Sequence, residues 1–200
     1  KSSLKNNISN GYALVGIDEF LLTKSCELIY NALNLQMPTL NYVKFIGDNL
    51  DFLDVVKFLN TMPVFDDKKL AVVNLNVKTT TTNFNALLDY LKHPNEQSIL
   101  VLVLGDNEKE FKNAISNLMV VDCNRLPEKF VDSFILSELK KSETQIETSA
   151  LKTLKDYCVC DLTKITSELS KLINFVSDKK LIKNCDVELL VTKTLEFQIY

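Results

Sequence analysis

Short apolar runs alternate with amphipathic segments over the first 125 residues of the chain. The clearest run is 99–104, six apolar residues closed by Gly105-Asp106, because a parallel strand covered on both faces need not alternate. Four further runs predict strands, at residues 12–15, 41–46, 70–75 and 119–121. Helical patterns lie between them. Strands that alternate with helices predict a doubly wound α/β domain with a five-stranded parallel sheet.

The helical segments show one apolar face each. A helix opens after Asp18, and residues 51–61 predict a second one with Leu53, Val56 and Leu59 facing inward. The threonine-rich stretch 78–82 is polar and predicts a loop.

The strand signal disappears after Pro127, which suits the first turn of a helix. Apolar residues then recur at helical spacing, and Asp161 and Asp186 are suitable N-caps for two of the helices. The chain therefore divides into an α/β domain at residues 1–126 and a small all-helical domain at 127–195.

A turn with bulky apolar side chains separates the predicted helix 51–61 from the strand that follows it. Met62, Val64 and Phe65 lie where water should reach, and Pro63 cannot continue a helix and stiffens the turn. Such a tip either tucks into the core or contacts a partner, and the segment alone leaves both interpretations open.

Composition and residue spacing weigh against several functional classes. A net charge of −3 disfavours a protein that coats nucleic acid. No apolar run approaches the roughly 20 residues that a membrane span needs. A zinc site is disfavoured because His93 is the single histidine and no CxxC pair exists. His93 precedes Pro94 and suits a helix end better than a base. The cysteines predict reduced thiols in a cytoplasmic protein.

An α/β domain followed by a helical domain often binds a nucleotide, but this sequence lacks the residues that would do so. The turn after the first strand, residues 16–20, has one glycine, no lysine and two carboxylates, Asp18 and Glu19. Carboxylates repel a triphosphate, and capping of the next helix explains them. The third strand ends at Asn74 instead of a carboxylate cluster that could hold Mg²⁺. We therefore expect no catalytic, cofactor-binding or metal-binding residues.

Several stretches, in order and at similar spacing, resemble the delta subunit of bacterial DNA polymerase III, a clamp-loader subunit. They are YALVGIDEFLL at 12–22, LNTMPVFDDKKLAVV at 59–73, the apolar strand 99–104, DLTKI and ELSKL within 161–172, and LEFQIY at 195–200. The resemblance implies an AAA+-like fold without a working phosphate loop. It also implies that residues 196–200 are a linker to a C-terminal collar domain beyond Tyr200.

The resemblance further implies a role in DNA replication. Met62, Pro63, Val64 and Phe65 would bind the beta sliding clamp and help to open it. The chain would have no ATPase activity of its own and would belong to a DNA-directed DNA polymerase holoenzyme, a nucleotidyltransferase complex. Its other partners would be the gamma/tau and delta prime subunits, with DNA contact only inside the assembled loader and no membrane contact.

Two other classes compete with this interpretation. One is an α/β nucleotide-dependent enzyme with a degenerate phosphate loop, which a nucleotide titration would detect. The other is a module that binds nucleic acid directly, which a salt-dependent DNA-binding assay would detect. The missing lysine and the acidic net charge weigh against them.

Overall fold

Five parallel strands form the centre of the first of two compact units, Lys1–Arg125 and Leu126–Tyr200. The computed structural model describes residues 8–47, 49–76 and 80–193. The predicted linker at 196–200 lies outside these residues. In chain order, the elements of the first unit are β1 (Gly11–Val15), α1 (Glu19–Leu33), α2 (Pro38–Asn41), β2 (Tyr42–Phe45), β3 (Asn49–Asp51), α3 (Phe52–Asn60), β4 (Lys69–Asn74), β5 (Thr80–Thr82), α4 (Phe84–Lys92), β6 (Ser98–Gly105), a 3₁₀ turn (Asn107–Lys109), α5 (Lys112–Ile115) and β7 (Met119–Asp122).

The strand order in the sheet is β2-β4-β6-β1-β7, and every pair is parallel. The predicted five-stranded parallel sheet is therefore confirmed. The prediction of a loop at 78–82 is wrong for Thr80–Thr82, which pairs with β3 in a separate two-stranded ladder. β-branched threonines suit an extended strand, and residues 78 and 79 lie outside the described part of the chain.

Helices cover both faces of the sheet. Alternate strand residues point to opposite faces, so Ala71 and Val73 pack with α3 and α4, whereas Leu70 and Val72 share a cluster with residues of α1. The inward face predicted for α3 is confirmed for Leu59, which is fully buried, and Val56 packs partly buried against the same core, but the prediction is wrong for Leu53. The buried side chains of α3 are Phe52, Val55 and Leu59, and Leu53 is exposed.

The start of the helix accounts for the error at Leu53. Asp51 ends the preceding strand and caps α3, because its Oδ1 accepts the Leu53 N–H at 2.8 Å. The helix thus begins at Phe52, and the apolar stripe starts one position earlier than predicted.

Strand register determines which loops are neighbours. Tyr42 pairs with Leu70, and Lys69 pairs with Ser98, so the amino-terminal ends of β2, β4 and β6 align at one edge of the sheet. The segments that lead into these strands lie at this amino-terminal edge. The turn after β1 and the residues after β4 lie at the opposite, carboxyl-terminal edge.

The second unit contains four helices among its described residues. Its elements are α6 (Glu128–Lys141), β8 (Gln145–Ile146), α7 (Thr148–Cys158), α8 (Leu162–Phe175), β9 (Leu181–Ile182) and α9 (Asn184–Leu190). The prediction of an all-helical unit needs correction, because β8 and β9 form a two-residue parallel ladder. Nowhere in the described residues is a helix long and apolar enough to cross a membrane.

One of the two predicted N-caps in this unit is confirmed. Asp161 Oδ1 accepts the Lys164 N–H at 2.9 Å at the start of α8. Asp186 is not the N-cap of α9. It lies in the first turn, where its Oδ2 accepts the backbone N–H of the N-cap residue Lys183 at 2.8 Å. A carboxylate that reaches back in this way stabilises the same helix end from inside the helix.

Candidate functional site

The turn between α3 and β4 carries the most exposed apolar side chains of the amino-terminal edge. Met62 is 69% exposed and Phe65 is 83% exposed, whereas Val64 is exposed to 39% and Pro63 is half-buried. The alternative in which this turn tucks into the core therefore fails for Met62 and Phe65. A phenylalanine this exposed contributes almost nothing to the core of its own domain.

The buried side chain of Asn41, at the end of α2, holds the turn. Its Nδ2 donates to the Val64 carbonyl oxygen at 2.7 Å, and its Oδ1 accepts the Val64 N–H at 2.8 Å. The same Nδ2 donates to Asp66 Oδ2 at 2.6 Å. Since one amide satisfies both backbone groups of Val64, the backbone at the tip has a fixed position.

Asp66 ties the turn to the segment before β2 a second time. Its Oδ1 accepts the Gln36 N–H at 2.7 Å, and its Oδ2 accepts the Met37 N–H at 3.0 Å. These hydrogen bonds favour the charged carboxylate. The pKa of Asp66 is lowered, chiefly by the Gln36 N–H and also by Met37 and Asn41, against the opposing effect of burial.

Removing the Asp66 charge should therefore destabilise the fold in a pH-dependent way. A lowered folded pKa means that the stabilisation is present above the unfolded pKa of about 3.9 and is lost as pH falls through the folded value. We expect Asp66→Asn to lower the free energy of unfolding at pH 7, and to lower it by less at pH values below about 4. Urea unfolding at pH 7 and below about pH 4 measures the two differences, with Asp67→Asn as the control. Equal losses at both pH values would contradict the assignment.

Phe65 has a left-handed backbone with φ of 58°. This conformation costs a non-glycine residue on the order of 1 kcal/mol and persists only where the surroundings impose it. The hydrogen bonds of its neighbours, Val64 and Asp66, supply that constraint. The strained conformation and the 83% exposure occur at the same residue.

The base of the turn is also fixed. The Thr61 N–H donates to the Phe58 carbonyl oxygen at 3.2 Å and ends α3. Lys69 is buried, and its Nζ donates to the Thr61 hydroxyl and lies 3.9 Å from the Phe58 ring centroid. Loss of hydration lowers the pKa of Lys69. A cation–π contact and one hydroxyl thus hold this ammonium beside the turn.

Two exposed apolar residues near the turn were missed in the sequence. Met37 is 42% exposed and Leu40 is 52% exposed, and both lie in the segment that Asn41 and Asp66 connect to the turn. A signal exists: the pattern Met-Pro-x-apolar occurs at residues 37–40 and again at 62–65, each time ahead of a strand.

The opposite edge of the sheet holds the turn where a phosphate loop would lie. The Gly16 N–H donates to the Gly105 carbonyl oxygen at 2.8 Å, and the Asp18 N–H donates to the Cys123 carbonyl oxygen at 3.0 Å. Gly16 has φ of 136°, and a Cβ there would lie 2.2 Å from the Cys123 carbonyl carbon. Asp18 caps α1 as predicted, since its Oδ1 accepts the Leu21 N–H at 3.0 Å.

A cleft of about 580 Å³ lies beside this turn, between α1 and the strands β2 and β4. Its charged lining residues are Glu19, Glu27 and Lys44, two carboxylates and one ammonium. Asn74 also lines it, and its Oδ1 accepts the Asn76 N–H at 3.0 Å. No cluster of three or more metal-ligating side chains occurs within residues 8–47, 49–76 and 80–193.

Comparison with known proteins identifies the family. The model of the family described as "DNA polymerase III, delta subunit" matches residues 12–124, more than half of the chain. The chain belongs to the DNA polymerase III delta subunit family. The match begins within β1, includes the apolar turn and extends past the end of β7.

Two curated members of this family are similar to the chain. A probable DNA polymerase III subunit delta of Rickettsia prowazekii is 27% identical over 173 residues, which cover 82% of this chain and 50% of that protein. The DNA polymerase III subunit delta of Bacillus subtilis is 23% identical over 214 residues, covering all of this chain and 62% of its own length. The chain thus spans about half to three fifths of these relatives.

A solved structure supports the same fold. The Bacillus subtilis DNA clamp loader delta protein superposes with a TM-score of 0.71 at 22% identity, over 96% of this chain and 61% of that chain. This delta subunit family member therefore has the AAA+-like α/β architecture of clamp-loader proteins.

Proposed function

We propose that this chain binds the beta sliding clamp through Met62, Pro63, Val64 and Phe65 and helps to open the ring during DNA replication. The observation that carries the proposal is the 83% exposure of Phe65 on a turn whose backbone is fixed by hydrogen bonds. An aromatic side chain on a rigid backbone loses little conformational entropy on binding, and such side chains are typical of interface hot spots.

The chain acts on the clamp by differential binding. Burying the Phe65 ring in an apolar pocket is worth roughly 2–3 kcal/mol, and Val64 adds somewhat less. A contact that is stronger with the open or strained ring shifts the clamp toward that form. The energy for the cycle comes from ATP bound by the gamma/tau subunits, and delta prime completes the assembly in the cytoplasm. DNA contact occurs only inside that loader.

Three observations at the carboxyl-terminal edge support the absence of ATPase activity. The N–H groups of Gly16 and Asp18, which a phosphate loop would direct at the nucleotide, already bond to backbone carbonyls. Asn74 stands where a metal-holding carboxylate would be needed. The charges that line the neighbouring cleft sum to −1, which disfavours a triphosphate. The same observations weigh against the nucleotide-dependent enzyme.

The chain is therefore expected to bind no nucleotide. Calorimetric titration with Mg-ATP should give no heat of binding, whereas an ATPase subunit of the loader titrated in the same buffer serves as the positive control. A dissociation constant in the micromolar range would contradict the proposal for this edge of the sheet.

The proposed partner can be tested with the 200-residue chain itself. Sedimentation velocity of the chain mixed with the purified clamp should show a faster complex at micromolar concentrations. Adding duplex or single-stranded DNA to the chain alone should show no such complex, because the net charge of −3 disfavours binding to the phosphate backbone. DNA binding without clamp binding would favour the nucleic-acid-binding class instead.

A further inference from the structure

The apolar turn has a counterpart one strand away. Residues 37–40, Met-Pro-Thr-Leu, lead into β2, and residues 62–65, Met-Pro-Val-Phe, lead into β4. Because β2 and β4 are parallel neighbours in register, both segments lie at the amino-terminal edge of the sheet. Each segment exposes its methionine and its last apolar residue: Met37, Leu40, Met62 and Phe65.

Hydrogen bonds make the two segments one rigid unit. Asn41 bonds both backbone groups of Val64, and Asp66 accepts the N–H of Met37 and the Asn41 amide. These bonds join residues 23 to 29 positions apart in the sequence. Neither segment can shift without breaking contacts of the other.

Charge is absent from both segments. Residues 28–43 and 58–65 contain no Asp, Glu, Lys or Arg, in a chain that is 24% charged. The central part of a protein interface is similarly depleted of charge, whereas a solvated surface is not. This pattern fits an apolar protein surface as the occupant better than a nucleic acid or a membrane headgroup.

We propose that Met37 and Leu40 form the second half of the docking surface and contact the sliding clamp together with the turn at 62–65. This inference rests on the proposed function, because it takes the occupant of the turn to be the clamp. Val64 and Phe65 are the anchors, and Met37 and Leu40 extend the apolar contact along the same edge.

The test is the double variant Met37→Ser with Leu40→Ser. We expect its affinity for the purified clamp to fall about 10-fold or more, with an unchanged melting temperature, because both side chains are already half exposed. The matched control is Ile17→Ser. Ile17 is 62% exposed at the opposite edge of the sheet, and its substitution should change affinity less than about twofold.

The outcomes separate this inference from the proposed function. Unchanged clamp binding by the serine variant, with binding lost in the Val64→Ala/Phe65→Ala variant, overturns the second half of the surface and leaves the proposed function intact. Unchanged binding by both variants overturns both. Should the serine variant melt early, Leu40→Gln decides: it must weaken binding about threefold or more at an unchanged melting temperature, and otherwise the inference falls.

Discussion

Replacing Val64 and Phe65 with alanine is expected to weaken clamp binding by about 30- to 1,000-fold, which corresponds to about 2–4 kcal/mol. The two side chains are the anchors of the proposed contact, and an aromatic anchor beside an aliphatic one often dominates an interface. Titration calorimetry or surface plasmon resonance with the purified clamp measures the loss.

The same variant should fold as well as the parent chain. Phe65 is 83% exposed and Val64 39%, so we expect the free energy of unfolding to change by less than about 1 kcal/mol. The matched control is Phe52→Ala, where the ring is fully buried and its loss should cost about 3–5 kcal/mol. A loss of stability of that size in the Val64→Ala/Phe65→Ala variant would assign the pair to the core and remove the main support for the docking turn.

Asn41→Ala is expected to damage both stability and clamp binding. The substitution leaves the Val64 N–H and carbonyl without their side-chain partner and removes one hydrogen bond from Asp66. Each of these partly buried hydrogen bonds contributes about 0.5–1.5 kcal/mol, so the loss of three predicts a fall of about 2–4 kcal/mol in the free energy of unfolding. Chemical unfolding measures the stability.

Clamp affinity should fall in the same Asn41→Ala variant even under conditions where it is fully folded. Without Asn41 the backbone of the turn is no longer fixed, so binding must order it, and the lost conformational entropy weakens the affinity. Asn60→Ala, at an exposed position in α3, is the matched control and should change neither quantity by more than about 0.5 kcal/mol. Full clamp affinity in folded Asn41→Ala would show that the rigidity of the turn is irrelevant to binding.

The elements of the sheet were predictable because their signals are local. Continuous apolar runs such as 99–104 indicate strands covered on both faces. Asp18 and Asp161 indicate the N-termini of two helices because their carboxylates can cap the first turn. Leu53 was wrongly assigned to the inward face of α3 because the adjacent Phe52 and Leu53 are both apolar. The structure buries residues spaced i, i+3, i+4 and i+7 from Phe52, namely Phe52, Val55 and Leu59 fully and Val56 in part, and the Asp51 cap places Phe52 at the first position of the helix.

The candidate site was predictable only in part. The exposed turn at 62–65 follows from a proline and bulky apolar residues between a helix and a strand. Its fixation by Asn41 and Asp66, and the proximity of Met37 and Leu40, depend on contacts between residues distant in the sequence. The left-handed backbone of Phe65 is likewise imposed by those contacts, since the residue type disfavours it.

Site-specific photo-crosslinking tests most directly whether this turn contacts the clamp. A photoreactive phenylalanine analogue placed at Phe65 should capture the purified clamp covalently on irradiation, and excess unlabelled chain should suppress the product. The same analogue at Ile17, on the opposite edge of the sheet, should give no product. Capture from position 17 but not from 65, or no capture from either, would contradict the account.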